Sequence, residues 1–486
     1  MAEQGGTEQS NDISTPLDWT TFANTIDGKQ VQTARSRHSI NPANGESGPD
    51  VPMSTPEDVE NAMTAAQKGF NVWSNVPWDQ RKKAVLAFAN GIRQEKDNFV
   101  KMLTREQGKP LAFARMELDM AASFTQTVAN LVLSEERYQA GDADTMVRYT
   151  PLGVCVGIVP WNFPILLACG KLAPALLTGN SIIIKPSPFT PAGGLKLVEL
   201  AQRYFPSGVV QSLSGDDSLG PLLTSHPVPA KISFTGSTFT GKRVMESASK
   251  TLKRVTLELG GNDPAVVLDD IDINAVAPKI AQLAFLNSGQ ICLALKRIFV
   301  QESIFDEFRD ALVKATKELR LGPGTDEGVF LGPVQNSMQY ERVKGFFSDI
   351  EKEKWNVAIG GKIPEGKGYF ITPTIIDRPK EDSRIVVEEP FGPIVPLLTF
   401  SNDEEAIQKA NDTQYGLGAS VWSSNIARAN EIARKLHAGS VWVNTHFELD
   451  ARVPFGGHKE SGIGVEFGIG GLKSYCNSQT LYLKKP

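Results

Sequence analysis

The feature that most limits this chain begins at Val154, where strand-like and helical segments start to alternate. Val154–Val159, Ser181–Ile184, Val209–Leu213, Lys231–Phe234 and Val255–Leu259 are near-continuously apolar. Helical or turn segments lie between them at Ile165–Leu177, Gly193–Tyr204, Leu219–Ser225 and Gly241–Ala248. A strand apolar on both faces must be covered on both, and interleaved helices supply the covers. The pattern therefore predicts a parallel sheet between helical layers, with ligands beyond the carboxyl ends of its strands. A second alternating set runs through Ala265–Leu268, Ile298–Val300, Ile394–Phe400, Ala419–Trp422 and Ser440–Val443, and predicts a second α/β unit. A chain of 486 residues exceeds the roughly 250–300 that one core can serve, so two units are expected.

Upstream of Val154 the pattern differs. Residues 1–17 are polar and acidic and read as a disordered tail. Thr55-Pro56-Glu57-Asp58 carries a capping threonine, a first-turn proline and first-turn acids, which together predict a helix start. Helices are expected from there to about Gln139, packed as one layer. At the other end Gln479–Leu483 alternates like an edge strand able to pair with another subunit.

Several classes drop out. The net charge of −5 offers no footprint for nucleic acid. Tyr149 to Gly170 is uncharged and long enough to consider as a membrane span, but Pro160, Asn162 and Pro164 interrupt it. The start of the chain lacks the basic and apolar parts of a signal peptide, and four cysteines without a C-x-x-C pair fit a reducing, cytoplasmic setting. The five histidines form no metal-spaced cluster, and no G-x-S-x-G elbow occurs.

What remains is a set of polar residues at predicted strand ends. Cys292 follows an Asn287-Ser288-Gly289 break between a helical pattern and a strand, on a turn that can face a cavity. By residue type alone a free cysteine is more often inert core, the reading that Cys155, Cys169 and Cys476 keep. Glu258 lies between leucines at a strand end, where burial would raise its pKa toward use as a general base. Asn162, between two prolines, offers an amide donor for a developing oxyanion. Lys185 and Ser187 stand where a ribose or phosphate would lie. Gly236 to Arg243 nearly spells a P-loop, but Arg243 replaces the magnesium-binding hydroxyl; a phosphate cradle at a helix N-terminus survives. No G-x-G-x-x-G is present.

Taken in order, PWNFP (160–164), KPS (185–187), FTGST (234–238), LELGGN (257–262), GQIC (289–292), EEPFGP (388–393) and PFGGHKESGIGVE (454–466) resemble the motif series of the NAD(P)-dependent aldehyde dehydrogenase superfamily, specifically its hydrolytic branch. The resemblance covers nearly the whole chain. It implies two doubly wound α/β domains, one Rossmann-like for the cofactor and one catalytic, with a small β ribbon for oligomerisation. The implied division is 18–128 with 152–260 for the cofactor domain, 261–465 for the catalytic domain, and 129–151 with 466–486 for a homodimer or homotetramer contact.

The same resemblance implies roles. Cys292 matches the nucleophile, Asn162 the oxyanion donor, Glu258 the base, and Lys171 and Glu466 a proton relay. Lys185 and Ser187 match contacts to the adenosine ribose and phosphate, Gly236 and Ser237 the pyrophosphate segment, and Glu389 and Phe391 the nicotinamide ribose. Ile158, Pro160, Trp161 and Leu259 match the walls of that cleft. Phe163, Leu166, Leu167, Leu286, Ile291, Leu293, Leu449 and Phe455 are expected around an apolar aliphatic or aromatic aldehyde, and Gly170 is expected to widen their tunnel. Pro188 stands where NAD-preferring members often carry a ribose-binding glutamate, which leaves NAD and NADP both open. Glu258 distinguishes a hydrolytic enzyme from coenzyme-A-acylating relatives, and a non-catalytic nucleotide-binding scaffold is the remaining alternative.

Overall fold

The computed structural model describes residues 16–140 and 143–484. Two sheets dominate it. The first has eight strands. Arg254–Glu258, Lys231–Thr235, Val154–Ile158, Ser181–Lys185 and Val210–Ser212 run parallel in that spatial order. The chain steps outward from Val154–Ile158 in one direction and then returns to its other side with Lys231–Thr235. A crevice therefore forms at the carboxyl ends, beside Ile158 and Thr235.

Both faces of this sheet are covered, as the apolar runs require. Cys155, Ile182 and Ile184 pack under Leu118, Leu172 and Leu176 of the helices Leu111–Ala129 and Pro164–Leu177. Val154, Val156 and Ile183 face the opposite way, against Val59, Met63, Leu219 and Val244. Thr55 caps the helix Pro56–Trp73, with its side chain and that of Asp58 each bonded to the other's backbone N–H.

The second sheet has seven strands, ordered Asn356–Ile359, Thr374–Asp377, Ile394–Phe400, Leu295–Gln301, Asp263–Val267, Gly418–Trp422 and Ser440–Val443. All neighbours are parallel except the first pair. Val266, Phe299 and Leu398 bury on one face, and Ala265, Ile298 and Leu397 on the other. A separate antiparallel sheet joins Glu136–Ala140, Ala143–Pro151 and Cys476–Lys484, with the last strand on its edge.

Two readings of the sequence need correction. Helix does not continue to Gln139: it ends at Ala129, and Glu136–Ala140 is a strand. Most of the expected 1–17 tail lies outside the described residues, but Leu17 is buried in the core that holds Trp73. Gly462–Ile463 pairs antiparallel with Leu257 and Glu258 and so edges the first sheet. The helix Ser337–Lys352 went unread, although Asn336 caps it and Val343, Phe346 and Phe347 fill its inner face.

Candidate active site

The turn before Cys292 is strained. Asn287, Ser288 and Gly289 all adopt left-handed backbone conformations, with φ of 50°, 57° and 71°. Such geometry is costly for residues other than glycine and persists only where surroundings enforce it. Here Ser288 Oγ donates to the Gly332 carbonyl at 2.7 Å, and Gln290 is held by Asn287 and Gln335. A Cβ on Gly289 would strike the Gly392 carbonyl, so this position also requires glycine. The result is a reversal that carries Cys292 from the end of helix Ile273–Phe285 to the amino end of strand Leu295–Gln301, facing the carboxyl ends of the first sheet.

Every carbonyl of the segment 290–293 accepts from a side chain. Asn162 Nδ2 donates to Gln290 O at 3.1 Å, Lys296 Nζ to Ile291 O at 2.7 Å and Cys292 O at 2.8 Å, and His446 Nε2 to Leu293 O at 2.7 Å. Among the described residues the Cys292 backbone N–H has no acceptor. Cys292 keeps partial exposure, whereas Cys155, Cys169 and Cys476 are buried.

Glu258 ends the strand Arg254–Glu258 and is buried opposite the thiol. The Cys292 sulfur interacts with this carboxyl, yet neither carboxyl oxygen has a partner in hydrogen-bonding geometry. Burial raises its pKa to about 8, and the Glu466 charge adds to the effect. Burial also pushes the Cys292 thiol well above its ordinary value, with Glu258 contributing, while Lys296 pulls it down. Burial thus disfavours the charged form of both groups. Behind it Lys171 Nζ donates to Glu466 Oε1 at 2.7 Å, Thr235 Oγ1 at 2.9 Å and Ser233 Oγ at 3.1 Å, a wholly buried ion pair.

Asn162 is positioned from below. Lys109 Nζ donates to the Asn162 carbonyl at 2.7 Å and to Glu117 Oε2 at 2.5 Å, and it lies 3.8 Å from the Phe163 ring centroid. The second oxygen of Glu117 accepts from Ile165 N at 2.8 Å and Leu166 N at 3.2 Å, capping the helix Pro164–Leu177. One buried ion pair thus fixes both the turn and the helix that follows it.

On the other side of the thiol lie the residues read as cofactor contacts. Lys185 is buried at its strand's carboxyl end, and burial lowers its pKa to about 8. Among the described residues no group hydrogen-bonds its Nζ. Ser187 is buried nearby and caps Phe189 N at 3.2 Å. Gly236 and Ser237 form the turn into helix Thr238–Ser249, where Ser237 Oγ caps Thr240 N at 3.2 Å. Gly241 lets that helix approach Leu259 closely enough that a Cβ would collide. Glu389 Oε1 pairs with Lys296 at 3.1 Å and accepts from Gly261 N at 3.2 Å, and the Phe391 and Trp161 rings meet edge-on at 5.3 Å. Ile158 and Pro160 lie half-buried on the same side. An unpartnered buried ammonium, a helix N-terminus and a carboxylate in one crevice fit the phosphates and ribose hydroxyls of a dinucleotide.

The apolar side holds Phe163, Leu166, Ile291, Leu293 and Phe455 in one core, with Leu167, Leu286 and Leu449 half-buried against it. A cavity of about 630 Å³ opens there, with Phe124, Trp442 and Leu449 on its apolar wall and Glu448, Asp450 and Arg452 at its polar one. Gly170 does not widen the passage. The Phe467 ring takes the freed space, 3.2 Å from where a Cβ would sit, and packs edge-on against Phe124 at 5.3 Å.

Residues 30–481 match the family model described as the aldehyde dehydrogenase family. The chain belongs to the aldehyde dehydrogenase family. Aldehyde dehydrogenase LUC3 of a Fusarium species is 42% identical over 471 residues, covering 96% of this chain and 100% of the relative. Among solved structures, betaine aldehyde dehydrogenase from Staphylococcus aureus in complex with NAD+ superposes with a TM-score of 0.93 at 35% identity, over 96% of this chain and 95% of the other. An aldehyde dehydrogenase variant from Bacillus cereus gives 0.93 at 33%, over 95% and 96%. The chain is accordingly an aldehyde-oxidising enzyme, built as a mixed α/β fold with two largely parallel sheets.

In this aldehyde dehydrogenase the sequence did not point to Lys109, Glu117, Ser233, Lys296, His446 or the rings of Phe124 and Phe467. One signal was available for Lys296. Lys296-Arg297 at the head of an apolar strand cannot both be solvated, so each must meet buried acceptors.

Proposed function

We propose that this enzyme oxidises apolar aliphatic or aromatic aldehydes to free carboxylic acids, with NAD+ or NADP+, through a thioester on Cys292. The observation that carries the reading is the buried Glu258 carboxyl facing the Cys292 thiol, with its pKa raised to about 8.

Cys292 Sγ adds to the aldehyde carbon, a C–S bond forms, and the carbonyl π electrons move to oxygen. The thiol proton passes to the ionised fraction of Glu258, which grows as pH rises toward 8. Asn162 Nδ2 retains one N–H beyond its bond to Gln290, and with the free Cys292 N–H it supplies two donors for the oxyanion. As the oxyanion re-forms a carbonyl, the C–H bond of the former aldehyde carbon breaks and leaves an acyl group on Cys292 Sγ; a bound nicotinamide dinucleotide would supply the acceptor for that hydride. Lys185, Ser187, Gly236 and Ser237 would hold its adenosine and phosphate end, while Glu389 and Phe391 would hold the nicotinamide ribose against Ile158, Pro160, Trp161 and Leu259. Once Glu258 has released the thiol proton, it removes a proton from water, the water oxygen bonds to the acyl carbon, and the C–S bond breaks with its electron pair on Cys292 Sγ. Lys171 and Glu466, a buried pair whose charges act on Glu258, are assigned to take its protons onward.

The apolar wall of Phe163, Leu166, Leu167, Leu286, Leu449 and Phe455 supports the substrate class. Tyr482 and Leu483, 74% and 54% exposed on an edge strand, support a homodimer or homotetramer. Four free thiols support a cytoplasmic setting, and among the described residues no helix is long and apolar enough to cross a membrane. The test is product analysis of octanal and benzaldehyde oxidation with each dinucleotide, with and without coenzyme A. Free acid in both cases is expected; acyl-coenzyme A as the product, or full activity in Cys292→Ala, would overturn the reading.

A further inference from the structure

Lys296 stands apart from the machinery just described. It is 2% exposed, on the strand Leu295–Gln301, four residues after the nucleophile. Its Nζ makes three contacts: the Ile291 carbonyl at 2.7 Å, the Cys292 carbonyl at 2.8 Å and Glu389 Oε1 at 3.1 Å. It also lies 5.8 Å from the Phe391 ring centroid. One buried cation thus touches the nucleophile's own peptide and the carboxylate assigned to the nicotinamide ribose.

We infer that Lys296 is a positioning residue that couples cofactor occupancy to the nucleophile, holding the Cys292 carbonyl and sharing its charge between the Cys292 turn and Glu389. The inference rests on the reading of Glu389 as a ribose contact. With the cofactor site empty, Glu389 takes part of the lysine's field. When ribose hydroxyls engage the carboxylate, its pairing with Lys296 loosens and more of the positive field falls on the thiol, favouring the thiolate. A charge at this depth acts strongly, because the low dielectric does not screen it.

The charged groups that face the thiol come from three elements: Glu258 on the strand Arg254–Glu258, Lys296 on Leu295–Gln301, and Glu389 after the short helix Arg384–Val387. Glu258 in turn faces Glu466 and Lys171, and Glu389 faces Asp263. Lys296 is the cation among the first three. Its position at the head of the strand also explains why two successive carbonyls, 291 and 292, can both be met by one ammonium.

The experiment is the pH dependence of Cys292 alkylation by iodoacetamide, measured on the whole enzyme without cofactor and with saturating NAD+ or NADP+. Cys292 is the partly exposed thiol, so the labelling reports on it. Lys296→Met is expected to move the midpoint up by about one pH unit or more, cutting the rate at pH 7 about tenfold, and to abolish the shift that cofactor causes in the wild type. Lys296→Arg is expected to keep most of both. An unchanged midpoint and an unchanged cofactor-induced shift in folded Lys296→Met would overturn the proposal. Should that variant not fold, Glu389→Gln replaces it: its cofactor-free midpoint is expected below the wild type's, and a midpoint equal to the wild type's would overturn the proposal. Dinucleotide binding, read from quenching of tryptophan fluorescence, separates the two levels. Tight binding by Glu389→Gln counts against the ribose reading, whereas the cofactor-free midpoints judge Lys296 by itself.

Discussion

Asn162 and Gln290 are joined by a hydrogen bond of 3.1 Å from the Asn162 amide to the Gln290 carbonyl, two residues before the nucleophile. The bond ties the PWNFP turn of the first sheet to the reactive turn of the second. It also fixes which way the remaining amide hydrogen points. Asn162→Ala should therefore lower kcat by about 10²–10³ while leaving the dinucleotide affinity near wild type. Steady-state kinetics with a binding titration on the same preparations would show it. A loss in affinity equal to the loss in kcat would instead mean that the turn had collapsed.

Glu258 gives a prediction with a worked sign. Its carboxyl ionises near 4.5 in the unfolded chain and about 8 in the folded site. Between those values the native state holds a proton that the unfolded state has released, so this group's contribution is fully present below about pH 4.5 and is lost as pH rises through 8. Glu258→Gln removes the titration. The variant should match the wild type in stability near pH 4.5 and exceed it by about 3–5 kcal/mol at pH 8.5. Denaturant titrations at the two pH values test this. The same variant should lose about 10²–10⁴ in turnover and accumulate acyl-enzyme, visible by intact mass, because water is no longer deprotonated. Stability gained where activity is lost would mark the carboxyl as held against its own preference.

The two α/β units and their strand ends were legible because each is encoded locally, whereas the roles of Cys292, Glu258 and Asn162 came with the resemblance of their motifs. Apolar runs such as Ile182–Ile184 announce a sheet covered on both faces, and prolines and glycines mark the turns at their ends. The rest was written in pairs distant along the chain. Lys171 and Glu466 are 295 residues apart and His446 lies 153 residues from Leu293, separations at which no periodicity speaks. Gly170 shows the same failure from the other side. A glycine reads as vacant space, but whether it is vacant depended on Phe467, brought in by a backbone with φ of 58°.

That pairing predicts a steric exchange. Phe467 is buried and wedged between Phe124, Phe455 and Gly170. Phe467→Ala should cost about 3–5 kcal/mol in stability and raise kcat/KM for bulky aromatic aldehydes relative to short aliphatic ones. Gly170→Trp should be tolerated poorly alone and better in combination with Phe467→Ala, since the indole then fills the space that the phenyl leaves. Thermal melts and a graded aldehyde series on the three variants check both halves. Additive losses in the double variant would mean that the two positions do not share one space.

The edge strand Cys476–Lys484 carries the assembly prediction. It pairs with Ala143–Pro151 along nine residues on one side and presents Tyr482 and Leu483 outward. A sheet edge of this length that ends in exposed Tyr482 and Leu483 invites another copy of the chain. Tyr482→Asp with Leu483→Asp should lower the sedimenting mass toward the 52.8 kDa monomer without altering far-ultraviolet dichroism. A mass equal to the wild type's would move the contact elsewhere.

Lys109 and Glu117 provide the last test. Both side chains are fully buried, 2.5 Å apart, and between them they hold the Asn162 carbonyl and the first N–H groups of helix Pro164–Leu177. Burying two charges gains little net stability, but removing one strands the other. Lys109→Met should therefore destabilise by about 3–5 kcal/mol, and Lys109→Met with Glu117→Gln should recover a substantial part of that, because no uncompensated charge remains. Activity should behave differently. Both variants lose the ammonium that holds the Asn162 carbonyl, so kcat should fall in each, and the loss should be non-additive with Asn162→Ala in a double-mutant cycle. Recovery of stability without recovery of kcat would place the pair in the positioning of Asn162. Recovery of both together would reduce it to a support for the fold.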